Sequence, residues 1–219
     1  MSCRENILAA VKANQPERVA LPDISIFGIG TKGSLQKFAA VLAGVGGKIA
    51  YVSDYEEIVR IIKAQYSCDV RIVSPLRELQ ELSHENLEDL VLIHDLRDVE
   101  VAILKAHFGI AENGAVWITE NEMQHRVLPF VTQHLAVIIK EGDIVPTMHH
   151  AYNLMSTTTY GFGTFIAGPS KTADIEQSLV IGAHGPRSMT VFVITETKYD
   201  EGKPVMKNSK TPGLFIIKK

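Results

Sequence analysis

The feature that most constrains this chain is a rhythm of short apolar runs alternating with stretches of helical periodicity. Residues 24–29, 48–52, 70–74 and 91–94 read as strands, while 34–42, 54–64 and a weaker stretch containing 87–90 read as helices. Strands this short and this uniformly apolar are buried on both faces, and strands separated by helices pair in parallel through right-handed crossovers. The expected fold class is therefore α/β: a mostly parallel sheet flanked by helices, with an antiparallel hairpin excursion. That excursion is expected after residue 108, where Asn113-Gly114 joins the runs 109–111 and 115–119; Asn-Gly is the strongest short hairpin signal. Further on, 135–140, 163–167 and 189–194 read as strands and 146–159 as a helix with proline near its start. Residues 172–180 read as a helix entered directly from Gly168-Pro169-Ser170.

Composition bounds the function class. The chain has 219 residues, 46% hydrophobic and 21% charged, the make-up of a folded globular protein. A chain of this size buries roughly 70% of its unfolded surface, so it needs no metal or disulfide staple. We divide it into an N-terminal helix and connector (1–22), a single α/β domain (23–196) and a C-terminal extension (197–219) with six lysines and a possible last strand over 214–217. The formal charge of −3 gives no general pull toward nucleic acid. Two cysteines, Cys3 and Cys68, are too few for an iron–sulfur cluster, which takes about four thiolates. They also fit a reducing compartment. The first helix carries Arg4, Glu5 and Lys12 among its apolar residues, unlike a signal peptide, and no apolar run approaches the ~20 residues of a membrane span. The expectation is a cytoplasmic protein without a membrane segment.

Three sites could carry chemistry. Gly28, Gly30 and Gly33 follow an expected strand and open a helix, and the next strand ends near Asp54. This is the form of a dinucleotide fingerprint, in which glycines admit the pyrophosphate and an acid holds the ribose. The same glycines equally suit a plain turn. Glu112, on the hairpin, places a carboxylate where it can act as nucleophile or general base, with neighbours such as Ile110 and Trp117 raising its pKa by desolvation. Alternatively the turn is only a turn and Glu112 is solvated. The densest candidate runs from Gly168, Pro169 and Ser170 through Lys171, Thr172, Asp174 and Glu176. A helix starting there would offer an anion its free N–H groups and positive dipole end. A little further on, His184 can shuttle a proton and Arg187 can grip a carboxylate or phosphate. Following a strand, these loops are expected at the carboxyl ends of the sheet, where α/β folds bind ligands. The competing reading is a pair of structural loops tied by an Arg–carboxylate contact. His125, His134, His149 and His150 lack metal-ligand spacing, and no metal is expected.

The string GPSKTADIEQSLVIGAHGPR over 168–187, preceded by FGIAENGAVWI and LAVIIK, resembles the LUD domain family, specifically its lactate utilization protein C group. The likeness is clearest over 105–194. It implies a fold like that of the ribose-5-phosphate isomerase, glucosamine-phosphate isomerase and CoA-transferase group. It also implies a role with partner proteins in oxidising L-lactate to pyruvate, with iron–sulfur clusters in the partners and none in this chain. This chain's share would be to bind a small anionic metabolite or a partner. At the hairpin the sequence departs from the Glu-Thr-Gly-Thr common in the family. Its Glu112-Asn113-Gly114 looks instead like the Ser-Glu-Asn-Gly segment that holds the glutamate nucleophile of class I CoA-transferases. Two alternatives therefore stand: a separate CoA-transferase-like or sugar-phosphate enzyme using Glu112, and a nucleotide-binding module using Gly28, Gly30 and Gly33.

Overall fold

The computed structural model describes residues 2–20, 22–23, 26, 33–83, 87, 92–173, 179–195, 198–200 and 203–205. Along the chain the elements are α1 (Cys3–Ala13), α2 (Leu35–Gly44), β1 (Lys48–Val52), α3 (Tyr55–Gln65), β2 (Ile72–Val73), β3 (Val101–Lys105), β4 (Phe108–Ile110) and β5 (Val116–Thr119). They continue with α4 (Glu120–Met123), α5 (Leu128–Val131), β6 (His134–Lys140), β7 (Ile144–Val145), α6 (Met148–Met155), β8 (Gly163–Ile166), β9 (Lys171–Ala173), β10 (Leu179–Ile181) and β11 (Ser188–Ile194). Two short strands, β12 (Lys198–Asp200) and β13 (Lys203–Val205), form an antiparallel ribbon beside β1.

The centre is a five-stranded sheet in the order β1-β11-β6-β3-β2, parallel throughout. Because side chains alternate along a strand, β6 serves two cores at once. Leu135, Val137 and Ile139 pack with Leu35, Phe38 and Leu42 of α2 and with Leu104, Val191 and Val193. Ala136 and Ile138 face the other way, with Ile103 and Phe192, against Ile58, Val59 and Ile62 of α3. The helices start where their caps dictate. Ser34 accepts the Lys37 N–H, and Asp54 accepts the Glu57 N–H at 2.8 Å. That backbone hydrogen bond holds the Asp54 carboxyl below the ordinary carboxylate range, so this acid is engaged in capping α3.

A second sheet, in the order β7-β4-β5-β8, is built on the expected hairpin, β4 and β5 being antiparallel. One of its faces joins α2 in the core, through Ala111, Val116 and Ile118. The other packs Phe108, Ile110 and Trp117 against Ala151 of α6. No helix among the described residues is long and apolar enough to cross a membrane.

Three expectations are corrected. Strand β3 lies in a stretch that the sequence rhythm leaves unassigned, because only Ala106 and His107 separate it from β4 and no turn residue marks the boundary. The described residues of the expected strand over 91–94 do not form one; Ile93–Leu96 is a 3-10 turn. Most important for the site, the described ends of 172–180 are strands where a helix was expected: β9 and β10 pair antiparallel, with Thr172 opposite Val180, and 174–178 lie outside the described residues. Thr172, Val180 and Ile181 are β-branched, and such side chains favour the pleated ribbon over the helix. The expected strand over 24–29, apart from residue 26, the stretch 88–91, and the expected strand over 214–217 lie outside the described residues.

Candidate functional site

The loops 168–170 and 182–187 meet. Ser170 donates its N–H to the Pro186 carbonyl at 2.8 Å, and its own carbonyl accepts the Gly182 N–H at 3.0 Å. Arg187 donates its N–H to the carbonyl of Gln133, the residue before β6, at 2.8 Å. Gly168, at φ +75°, lies so close to α2 that a Cβ there would stand 2.6 Å from the Val45 carbonyl oxygen. The Lys171 ammonium donates to that same carbonyl. These contacts place the loops at the amino ends of β1, β6 and β11, not at the carboxyl ends expected from sequence. The reason is topological: β8 belongs to the second sheet, runs antiparallel to β5, and delivers the chain to the end of α2.

The chemistry changes with that placement. Because Lys171–Ala173 is a strand, no helix begins directly after Ser170 to offer an anion its dipole end. What remains is the Ser170 hydroxyl, the turn backbone and the exposed Arg187, whose guanidinium pairs with no carboxylate among the described residues. Pro169 is buried, Thr172 lies in β9, and His184 is exposed in the second loop. Asp174 and Glu176 lie outside the described residues.

Glu112 is exposed on the hairpin turn, not enclosed by Ile110 and Trp117. Its carboxylate accepts the Met148 N–H at 2.8 Å, and so caps α6, whose own N-cap Thr147 makes no side-chain cap. The turn is fixed by Asn113, whose side-chain oxygen accepts the Ala115 N–H, and by Gly114 at φ +70°. A Cβ on Gly114 would stand 2.9 Å from the Leu42 backbone. Since Val116 opposes Ile166, the β5–β8 register carries Gly114 toward Gly168. Both glycines thus abut the end of α2, at Leu42 and Val45, so the structure sets the Glu112 turn beside the 168–170 loop.

Of the glycine fingerprint only Gly33 is described, and it lies outside this neighbourhood. Gly28 and Gly30 lie outside the described residues, and Gly33 is pressed against the Ile144 carbonyl at the opposite end of α2. At that carboxyl edge Thr195 donates its hydroxyl to Glu141, and burial together with Glu141 pushes the Tyr51 phenol up.

A polar group at the amino edge escaped the sequence reading. His134 opens β6 and Ser188 opens β11, and they stand opposite each other in register. His134 Nδ1 lies 2.7 Å from Ser188 Oγ, Nε2 lies 3.5 Å from the Glu100 carboxylate, and the Tyr66 ring lies 5.4 Å away. Burial holds the imidazole pKa below its ordinary value; Glu100 opposes this, and Arg187 and Lys48 reinforce it. The one sequence signal for this group is a histidine at the head of a buried strand, and its partners are set by strand register rather than by ligand spacing.

Comparison with known proteins agrees with this architecture. The LUD domain pattern matches residues 74–194, more than half of the chain and all of β3 through β11. Lactate utilization protein C of Anoxybacillus flavithermus is 38% identical over 88 residues, 40% of this chain and 40% of that protein. Its counterpart in Bacillus pumilus is 32% identical over 101 residues, 43% of this chain and 42% of that protein. The chain therefore spans about two fifths of the length of the curated relatives it matches. A crystal structure of a DUF162 family protein from Deinococcus radiodurans has a TM-score of 0.54 at 19% identity, covering 73% of this chain and 94% of that one, and shares the fold. On a family match that covers more than half of the chain, from β3 to β11 and including both site loops, this chain belongs to the LUD domain family.

Proposed function

We propose that the chain is the non-cluster component of a lactate-utilisation system, in which oxidation of L-lactate to pyruvate is completed with iron–sulfur partner proteins. Its own share is to bind a small anionic metabolite where 168–170 meets 182–187. The observation that carries this reading is the closure of those loops on each other, with Arg187 exposed beside Ser170. Arg suits such a ligand because its planar fork matches a carboxylate. The names of the relatives support the pathway. Two cysteines support placing clusters in partners, since a cluster takes about four thiolates.

Affinity purification from cells grown on lactate tests the pathway assignment. The expected result is co-purification of an iron–sulfur protein, together with a lactate growth defect in a deletion strain. A deletion strain that grows normally on lactate, with no such protein captured, would overturn it.

A second reading rests on the Glu112 carboxylate, exposed on the hairpin turn at the start of α6. If Glu112 acts as a CoA-transferase-type nucleophile, incubation with acyl-CoA leaves a thioester that borohydride traps at that residue. A panel of acyl-CoAs that yields no adduct removes this reading.

A further inference from the structure

We propose that Ser188, His134 and Glu100 form a nucleophilic relay acting on short activated acyl groups, thioesters or oxyesters, with Ser188 as the attacking residue. This goes beyond the lactate reading and does not depend on it. The relay is built by strand register. His134 and Ser188 are paired residues on adjacent parallel strands, so their side chains leave the same face of the sheet. The 2.7 Å contact between Nδ1 and Oγ is a full hydrogen bond. On its other side, Nε2 faces the Glu100 carboxylate at 3.5 Å. The negative charge of the nearby carboxylate favours the ring proton on Nε2, which leaves the Nδ1 lone pair to receive the serine proton.

Glu100 is held in place by its backbone. Its N–H reaches the Arg71 carbonyl at 3.0 Å, and its carbonyl accepts the His134 N–H at 2.8 Å and the Thr132 hydroxyl at 3.1 Å. A nucleophile, a base within hydrogen-bonding reach and a third group orienting that base are the recurring signature of acyl-transfer sites. The groups facing His134 are Glu100, Ser188, Tyr66, Arg187 and Lys48. Burial and the two cations favour the neutral imidazole that a base must be. The site is reachable, since the His134 and Glu100 side chains keep 27% and 40% of their surface exposed.

The step balances without an oxidant. Ser188 Oγ bonds to the acyl carbon as its proton passes to His134 Nδ1, and the carbon–sulfur or carbon–oxygen bond breaks. The leaving thiolate or alkoxide takes the proton from Nδ1. Water, deprotonated by the same nitrogen, then releases the acid and restores Ser188. Ser188 and His134 are the catalytic residues, and Glu100 is a positioning residue.

The test treats the full chain with a fluorophosphonate probe, maps the label by peptide mass spectrometry, and follows p-nitrophenyl acetate hydrolysis alongside. The expected result is label on Ser188, absent in Ser188→Ala, about 100-fold slower in His134→Gln and several-fold slower in Glu100→Gln. A folded wild-type protein with Ser188 unlabelled overturns the proposal, as does a folded His134→Gln that labels at the wild-type rate. If His134→Gln fails to fold, the wild-type map decides. Label on Ser188 in preference to other serines supports the relay, and its absence ends it.

Discussion

Gly168 shows how little room the site leaves at single residues. Its φ of +75° is one that side chains rarely adopt, and the Val45 carbonyl would stand 2.6 Å from any Cβ. Gly168→Ala is therefore expected to lower stability in urea unfolding by about 1–3 kcal/mol. An unchanged midpoint would show that the loop relaxes away from α2. His134 makes a prediction with a sign. Its folded-state pKa lies below the ordinary 6.5, so below that pH the unfolded chain takes up a proton that the folded protein resists. The stability that burial of neutral His134 contributes is complete above about pH 6.5 and is lost as pH falls through the lower folded-state value. Stability measured from pH 7.5 down to 5 should decline less in His134→Gln than in the wild type; parallel curves would contradict the assignment. The neighbourhood of Ser170 and Arg187 was legible in sequence because both lie in one short string. The His134–Ser188 contact was not, since the pair is separated by 54 residues and meets only through the register of a parallel sheet.

The elements show the same division between local and non-local signals. β1 and the Asn113-Gly114 hairpin follow from short-range pattern, and the structure places them where that pattern says. The ribbon of β9 and β10 does not: its helical reading followed from an N-terminus rule, whereas β-branched residues and cross-strand pairing prevail. β3 is hidden for another reason, since no turn residue separates it from β4. Glu112 is a capping residue for α6 from a distant turn, a relation no local pattern records. Glu112→Ala should cost about 1 kcal/mol and raise amide exchange in the first turn of α6, while Glu112→Gln, which keeps an acceptor, should recover most of the protection. Unchanged exchange at Met148 and the residues after it would show that the cap contributes nothing.

At the scale of the molecule, one parallel sheet with a core on each face sets the two edges where chemistry can sit. Phe192, buried against α3 on one face, and Val137, buried with α2 on the other, are single-residue probes of these two layers. Phe192→Ala should lower the unfolding free energy by about 3–5 kcal/mol, read from denaturant titration. A loss under 1 kcal/mol would mean that the α3 face is loosely packed. The α/β class was legible from the first half of the chain. The position of the site was not, because the carboxyl-edge rule assumes that the site-bearing strand belongs to the parallel sheet, and β8 does not. The resulting claim is that the loops around Ser170 and Arg187, closed on each other at the amino edge, hold an anionic metabolite. Calorimetric titration of L-lactate and pyruvate into the wild-type chain and Arg187→Ala tests it most directly. The expected result is saturable binding by the wild type and a loss of about 1.5–3 kcal/mol in the variant at unchanged melting temperature. No heat with either ligand at millimolar concentration, or equal affinity in the two proteins, would contradict it.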